Sequence, residues 1–485
     1  MKKQHEIRNL SMVMDFYEMT MANGYFASRD TDTLAVFDVF YRKNPDNAGF
    51  AIFAGLEQII DYINNLHFEE EDIAYLREQN LFSEEFLDYL RNYRFHGDIY
   101  AMPEGTIIYP YEPLITVVAP LLDAQLIETA LLLEVNHQSL IATKANRIVR
   151  AAKGRAVSDF GARRAHNVDA AVYGARAAYI GGVVGTATVF AGELFDIPIS
   201  GTMAHSWVMF CDSEYDAFKK YAETYPDSTV LLVDTYDVLK SGIPNAIKVA
   251  KEVLEPMGKR LKGVRIDSGD LAYLSKESRK MLDEAGLEDC IIVASNGLDE
   301  YTIRSLIHQG AEINSFGVGE RLITSASNPV FGAVYKLSAI QKEGKFIPKI
   351  KVSETAEKIT DPGLKKVYRV YNEEGKAIAD YLARADEIID ASKPVRYIDP
   401  QKYWKERSFE NCTFKNLQVK VFEDGKQVYQ CPPVEEIRQY VQHQLKNEIW
   451  VEEQRFENPH GHYYDMSPAM YELKMNLLYT LGKAK

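Results

Sequence analysis

The chain has 485 residues, more than one ordinary core accommodates, so two or three domains folded as one unit are expected. Hydrophobic residues make up 46% and charged residues 26%, a usual globular balance, and the formal net charge is −14. That acidity excludes a general binder of nucleic acid or anionic membranes, because both need clustered positive charge; a polyanionic ligand would need a locally basic pocket and a divalent cation.

The opening "MKKQHEIRNLSM" has no apolar core behind its lysines, so no secretory leader is expected. "LAVFDVFY" (34–41) and "GDIYAMPEGTIIYPYEP" (97–113) read as strands and turns. "FEEEDIAYLREQN" and "SEEFLDYLRNY" read as amphipathic helices with acids in their first turns. From 121 to 152 a single long helix is expected, apolar around much of its circumference and therefore buried. Asp123, Glu128 and Glu134 interrupt its most apolar stretch and exclude a bilayer span.

A strong rhythm follows. "AVSDF" leads into a small-residue helix over 166–179, and "GVVG" into "TATVFAGELF". "IPISG" precedes "SEYDAFKKYAETYP", and "TVLLVDTY" precedes "SGIPNAIKVAKEVLEPMG". "GVRID", "CIIVAS" and "NSFGVG" complete the series. Six or seven short apolar runs alternating with helices predict βα units and a parallel sheet. "GVGERL" lacks the third glycine of a dinucleotide loop, and no G-x-x-x-x-G-K-[ST] occurs, so neither a Rossmann site nor a P-loop is expected. The expected fold is α/β: an irregular or incomplete (β/α) barrel over 136–330, an N-terminal α+β domain over 1–135, and a post-barrel segment over 331–485. That last segment is β-rich, ends in a helical region and is expected to pack back on the N-terminal domain. Cys211, Cys290, Cys412 and Cys431 form no CxxC pair and read as reduced thiols of a cytoplasmic protein.

The polar residues cluster where the apolar runs end: "SDFGARRAHN", "GTMAHS", "DTYD", "RIDSGD", "SNGLDE" and "GVGER". In a (β/α) barrel those ends form one mouth, where active sites are built. A histidine after a strand is by default a structural residue, but its place at such a mouth makes His205 a candidate for chemistry. Asp267 and Asp270 could each cap the next helix. Strand alternation nevertheless turns Arg265 and Asp267 to one face. Arg163 and Arg164 suit a grip on a carboxylate or phosphate. Gly317 and Gly319, like Asn296 and Gly297, could serve a tight turn or a phosphate nest. Cations and amides for a polyanion, acids for Mg²⁺ or a ribose diol, and one histidine together fit chemistry on a phosphorylated sugar. A Schiff-base aldolase on the same barrel would need an inward lysine, which the core runs lack. A catalytically dead nucleotide sensor is disfavoured by the intact His205, Arg265 and Asp267.

"DFYEMTMANGYF", "ETALLLEVNHQSLIATKANRI", "DFGARRAH", "GTMAHS", "RIDSGDL", "SNGLDE", "GVGERLIT", "FGAVYKL" and "EKITDPGLKKVYR" occur in this order. In that combination the chain closely resembles nicotinate phosphoribosyltransferase, from about Asp15 to Arg369. The resemblance implies conversion of nicotinate and 5-phosphoribosyl-1-pyrophosphate (PRPP) to nicotinate mononucleotide and pyrophosphate. It also implies coupled ATP hydrolysis, Mg²⁺, and a homodimer with shared sites. His205 would carry the phosphoryl group, and Arg163 would face nicotinate. Tyr17, from the partner subunit, would stack on the pyridine ring. Arg265 and Asp267 would lie around the ribose and phosphates, with Asp267 and Asp270 near Mg²⁺ and Gly317 and Gly319 on a phosphate loop. Thr202, Ser206, Asn296 and Gly297 would be close neighbours. The related nicotinamide enzyme carries an acid where this chain has Ala187, so nicotinate is the expected substrate and nicotinamide the alternative.

Overall fold

The computed structural model describes residues 8–482 apart from 401, 403 and 405; the leader reading of the first residues therefore lies largely outside the described residues. The chain forms two compact units, one of Met1–Leu140 with Val330–Lys485 and one of Ile141–Pro329. Among the described residues no helix is long and apolar enough to cross a membrane.

In the first unit, strands from both ends of the chain share sheets. Leu34–Phe40 lies between Ile115–Pro120 and Val334–Lys342, antiparallel to both, with Val39 opposite Tyr335. Six of its seven residues are buried, so it reads as an apolar run rather than an alternating strand. Phe37 stacks on Tyr335 at 4.7 Å, one contact in a continuous apolar cluster that includes Met19, Phe53, Leu87, Val117 and Phe422. Each such burial contributes about 1.5–3 kcal/mol, which offsets the entropy of ordering a sheet with distant partners. A second sheet has the order Glu406–Phe409, Val395–Ile398, Tyr464–Met466, Ala377–Arg384, Lys365–Tyr371, Thr413–Asn416. The helix expected over 121–152 is broken into Leu121–Gln125 and Glu128–Ala151. The Gln125 amide donates to the Glu128 carboxylate at 3.0 Å across the break. In the segment expected to end in a helical region, the helices are Val434–His443 and Pro468–Gly482.

The second unit is built on a parallel sheet in the order Gly185–Thr186, Ala156–Asp159, Ser315–Val318, Ile291–Ala294, Gly263–Ile266, Val230–Leu232. Helices alternate with these strands, as the rhythm predicts, and the fold is mixed α/β. The expected "IPISG" strand is reduced to one parallel bridge between Thr186 and Ile199. The physical reason is length: Gly185–Thr186 is a two-residue strand and offers little ladder to extend. Among the described residues no ladder joins this edge to Val230–Leu232, so a closed barrel is not what the hydrogen bonds describe. The helix expected from 166 begins at Val168, where the Asn167 side chain caps the Ala170 N–H at 2.8 Å.

One buried charge cluster in the first unit sets a stability test. Arg369 makes two parallel bonds to Asp380, at 2.9 and 2.8 Å, with neither side chain exposed. It also donates to the Ile107 carbonyl at 2.8 Å. Removing one partner strands a buried charge, so Arg369→Met is expected to cost about 3–5 kcal/mol in urea unfolding. Arg369→Met combined with Asp380→Leu should cost less than Arg369→Met alone; an equal or larger loss would show that the pair is not the source of the effect.

Candidate active site

Because the sheet of the second unit is parallel, every strand delivers its C-terminal residues to the same edge, the usual place for a site in such sheets. His205 opens the helix His205–Phe210 just beyond the Ile199 bridge. Its Nδ1 lies 3.1 Å from the Thr235 hydroxyl. Its Nε2 lies 3.9 Å from Asp234 Oδ1 and 3.9 Å from Asp267 Oδ2. The imidazole is thus held on one nitrogen and faces two carboxylates with the other.

Those carboxylates are themselves fixed. Asp234 Oδ2 accepts the Asp267 N–H at 3.0 Å and the Ser268 hydroxyl at 2.6 Å, which joins the ends of two adjacent strands. Asp234 Oδ1 is buried without a hydrogen-bond partner among the described residues. An orphan acceptor of this kind is costly and calls for a partner such as a water, an ion or a ligand. Asp267 Oδ1 accepts the Ser295 hydroxyl, leaving Oδ2 toward His205. Arg265 Nη1 donates to the Thr202 hydroxyl at 2.5 Å, while its Nε is buried without a partner. Burial pulls the Arg265 guanidinium down from its ordinary value; Asp267 and Asp234 oppose this, and the positive charge of Arg163 adds to it.

His205, Asp267, Arg265 and Thr202 are therefore brought together. Ser206 is exposed on the turn that His205 begins. Asn296 (φ 89°) and Gly297 (φ 60°) form a left-handed turn directly after Ser295. Arg163 is exposed on the short turn Ala162–Arg164, and Arg164 faces Glu320 at 3.7 Å. Ala187 is exposed, its N–H donating to the Asp159 carbonyl at 2.8 Å. Asp270 caps the helix Leu271–Glu284 by accepting the Tyr273 N–H at 3.0 Å, the ordinary duty of an aspartate there. Gly317 lies within Ser315–Val318 under the Phe160 ring, which leaves no space for a Cβ. Gly319 ends that strand ahead of the short helix Glu320–Ile323. Tyr17 lies in the other unit, in the first turn of Phe16–Ala27, and is exposed.

Asp234, Thr235, Ser295, Asp159 and Thr186 are participants that the sequence reading did not single out. The quoted clusters "SDFGARRAHN", "DTYD" and "SNGLDE" contain four of them, but nothing in a cluster says which member turns inward.

Among the described residues no group of three or more His, Cys, Asp or Glu side chains is arranged to hold a metal unaided. Magnesium commonly uses one or two carboxylates together with substrate phosphates. The orphan oxygen of Asp234 and the inward oxygen of Asp267 fit that limited role.

Residues 12–136 match the nicotinate phosphoribosyltransferase (NAPRTase) N-terminal domain, residues 155–382 the nicotinate phosphoribosyltransferase (NAPRTase) family, and residues 364–474 the nicotinate phosphoribosyltransferase C-terminal domain. The nicotinate phosphoribosyltransferase of Bacillus subtilis (strain 168) is 46% identical over 476 residues, covering 98% of this chain and 96% of the relative. The chain belongs to the nicotinate phosphoribosyltransferase family. Within that family the Homo sapiens nicotinate phosphoribosyltransferase is 31% identical over 466 residues, covering 84% of this chain and 85% of its own. The crystal structure of human nicotinic acid phosphoribosyltransferase superposes with a TM-score of 0.84 at 27% identity, covering 96% of this chain and 100% of that one. That of the nicotinate-nucleotide pyrophosphorylase from Pyrococcus furiosus gives 0.69 at 26% identity, covering 92% and 99%. Family membership sets aside the aldolase and the sensor readings.

Asp267→Asn tests the carboxylate edge. The substitution keeps volume and removes charge, and a hydrogen bond to a charged group contributes about 1.5–3 kcal/mol. The apparent KM for PRPP is expected to rise by about tenfold or more with little change in Tm. An unchanged KM together with a large fall in Tm would make Asp267 a structural residue.

Proposed function

We propose that this chain is an ATP-coupled nicotinate phosphoribosyltransferase of NAD salvage, formally a ligase built on glycosyl transfer. It would join nicotinate to PRPP with loss of pyrophosphate. The observation that carries the ATP coupling is His205, held at Nδ1 by Thr235 and facing Asp234 and Asp267 through Nε2. An imidazole with one nitrogen oriented and the other presented to an open edge is arranged to accept a phosphoryl group from ATP. The phosphorylated form would favour PRPP binding and turnover.

Displacement at the ribose C1 develops positive charge at carbon while pyrophosphate departs. The pyridine nitrogen already carries its lone pair, so no strong general base is needed. Positioning and electrostatic stabilisation then supply most of the rate. Arg265 stabilises the departing phosphates, and Asp267 holds the ribose and PRPP end. Gly319 and the Asn296–Gly297 turn present backbone amides to phosphate, and Ser206 and Thr202 line the same edge. A bound Mg²⁺ would supply charge neutralisation at the pyrophosphate, held by Asp267 and Asp234, with the second oxygen of Asp270 nearby in sequence. We further read the assembly as a cytoplasmic homodimer in which the exposed Tyr17 of one subunit stacks on the nicotinate of the other.

Arg163 and Ala187 support nicotinate over nicotinamide. The guanidinium gains a charge-assisted contact with a carboxylate that a neutral amide does not match. The apolar Ala187 leaves the substrate's negative charge unopposed.

His205→Ala is expected to abolish ATP stimulation and to leave slow, ATP-independent synthesis of nicotinate mononucleotide. ATP hydrolysis still proceeding in step with product would contradict the role of His205. Ala187→Asp places a second carboxylate beside that of nicotinate, at a cost of a few kcal/mol with an effective dielectric of about 20. The ratio of kcat/KM for nicotinate over nicotinamide should fall steeply in this variant; an unchanged ratio in folded protein would remove Ala187 from the pocket.

A further inference from the structure

Asp159 ends the strand Ala156–Asp159, and its side chain is fully buried, as is that of Thr186 on the neighbouring strand. Asp159 Oδ1 accepts the Gly161 N–H at 2.8 Å, and Oδ2 accepts the Thr186 hydroxyl at 2.8 Å. The same hydroxyl oxygen accepts the Thr188 N–H at 3.0 Å. On the backbone, Thr186 donates to the Pro198 carbonyl at 3.0 Å and accepts from Ser200 at 2.9 Å. The carboxylate–hydroxyl pair therefore ties two strand ends, the turn that carries Arg163 and the turn that carries Ala187, while the Thr186 backbone holds the segment running on to Thr202 and His205.

The ladder alone does not fix these turns. Gly185–Thr186 pairs with only Ser158 and Asp159, and the next strand is a single bridge. Two buried side-chain bonds add to the few backbone bonds, the Ala187 N–H to the Asp159 carbonyl among them, that hold this edge. Glycine at 161 belongs to the same construction: a Cβ there would lie 2.9 Å from Asp159 Oδ1 and 2.5 Å from the Ile323 Cβ. Burial pushes the Asp159 carboxyl up, and the bonds from Thr186 and Gly161 pull it back.

We propose that Asp159 and Thr186 are positioning residues for substrate selection, setting the distance between the Arg163 and Ala187 turns and hence the fit of the substrate's carboxylate. The proposal rests on the reading of Arg163 and Ala187 given above. Neither side chain touches the substrate; both act through the turns they tie.

Thr186→Val keeps shape and removes the hydroxyl, and its kinetics are measured with nicotinate, nicotinamide and PRPP beside Thr186→Ser and Arg163→Ala. In Thr186→Val the KM for nicotinate should rise about tenfold, with kcat within about threefold of wild type. The KM for PRPP should hold, the nicotinate preference should fall, and Thr186→Ser, which retains the hydroxyl, should restore both. An unchanged nicotinate KM, or equal rises for nicotinate and PRPP with a lowered Tm, overturns the proposal. If Thr186→Val does not fold, Asp159→Asn, which keeps volume and one acceptor, is read by the same criteria. Arg163→Ala separates the two levels: an unchanged nicotinate KM there sinks the reading of Arg163. A raised KM there, with Thr186→Val unchanged, sinks only the brace.

Discussion

The site depends on one constraint, the parallel register of short strands. Val318 pairs with Asp159, Asp159 with Thr186, Ala294 with Ile266, and Leu232 with Arg265. The strands that end at Leu232, Ile266 and Ala294 therefore stop within a residue of one another, and the next one or two residues of each reach the same edge. Asp234, Asp267 and Ser295 all stand in this position, which is why they bond to one another across strands. A slip of one residue in any ladder would turn an inward side chain to the opposite face.

Two uses of aspartate hold the edge together. Asp234 and Asp159 are both buried strand-end carboxylates, and both accept from a backbone N–H and a hydroxyl. Asp159 spends both oxygens on neighbouring turns and acts as a brace. Asp234 spends one oxygen on Asp267 and Ser268 and keeps the other toward His205. The same residue type at comparable strand ends thus differs in how many of its oxygens the fold consumes, two in Asp159 and one in Asp234.

Much of this edge is legible in the amino-acid sequence alone. Alternating βα runs exposed the parallel sheet, and polar clusters after apolar runs pointed to His205, Arg265 and Asp267. What stayed hidden depends on contacts between strands, which local pattern does not encode. Asp234 and Thr235 were one cluster among several until the register brought them against His205. Asp270 shares the "RIDSGD" cluster with Asp267, yet its oxygen goes to the Tyr273 N–H. Gly317 read as a phosphate-loop glycine, while its tight neighbour is the Phe160 ring. The helix over 121–152 hid a break because both flanks are apolar, and the third strand shrank to a bridge because its partner is two residues long.

The central claim is that His205 carries a phosphoryl group during turnover. The direct measurement is to incubate the protein with ATP, digest it under alkaline conditions that preserve phosphohistidine, and map the phosphate by tandem mass spectrometry. The account predicts phosphate on His205 alone among the ten histidines, discharged when PRPP and nicotinate are added. Phosphate on another residue, or none on His205 while ATP is consumed with product, would contradict it.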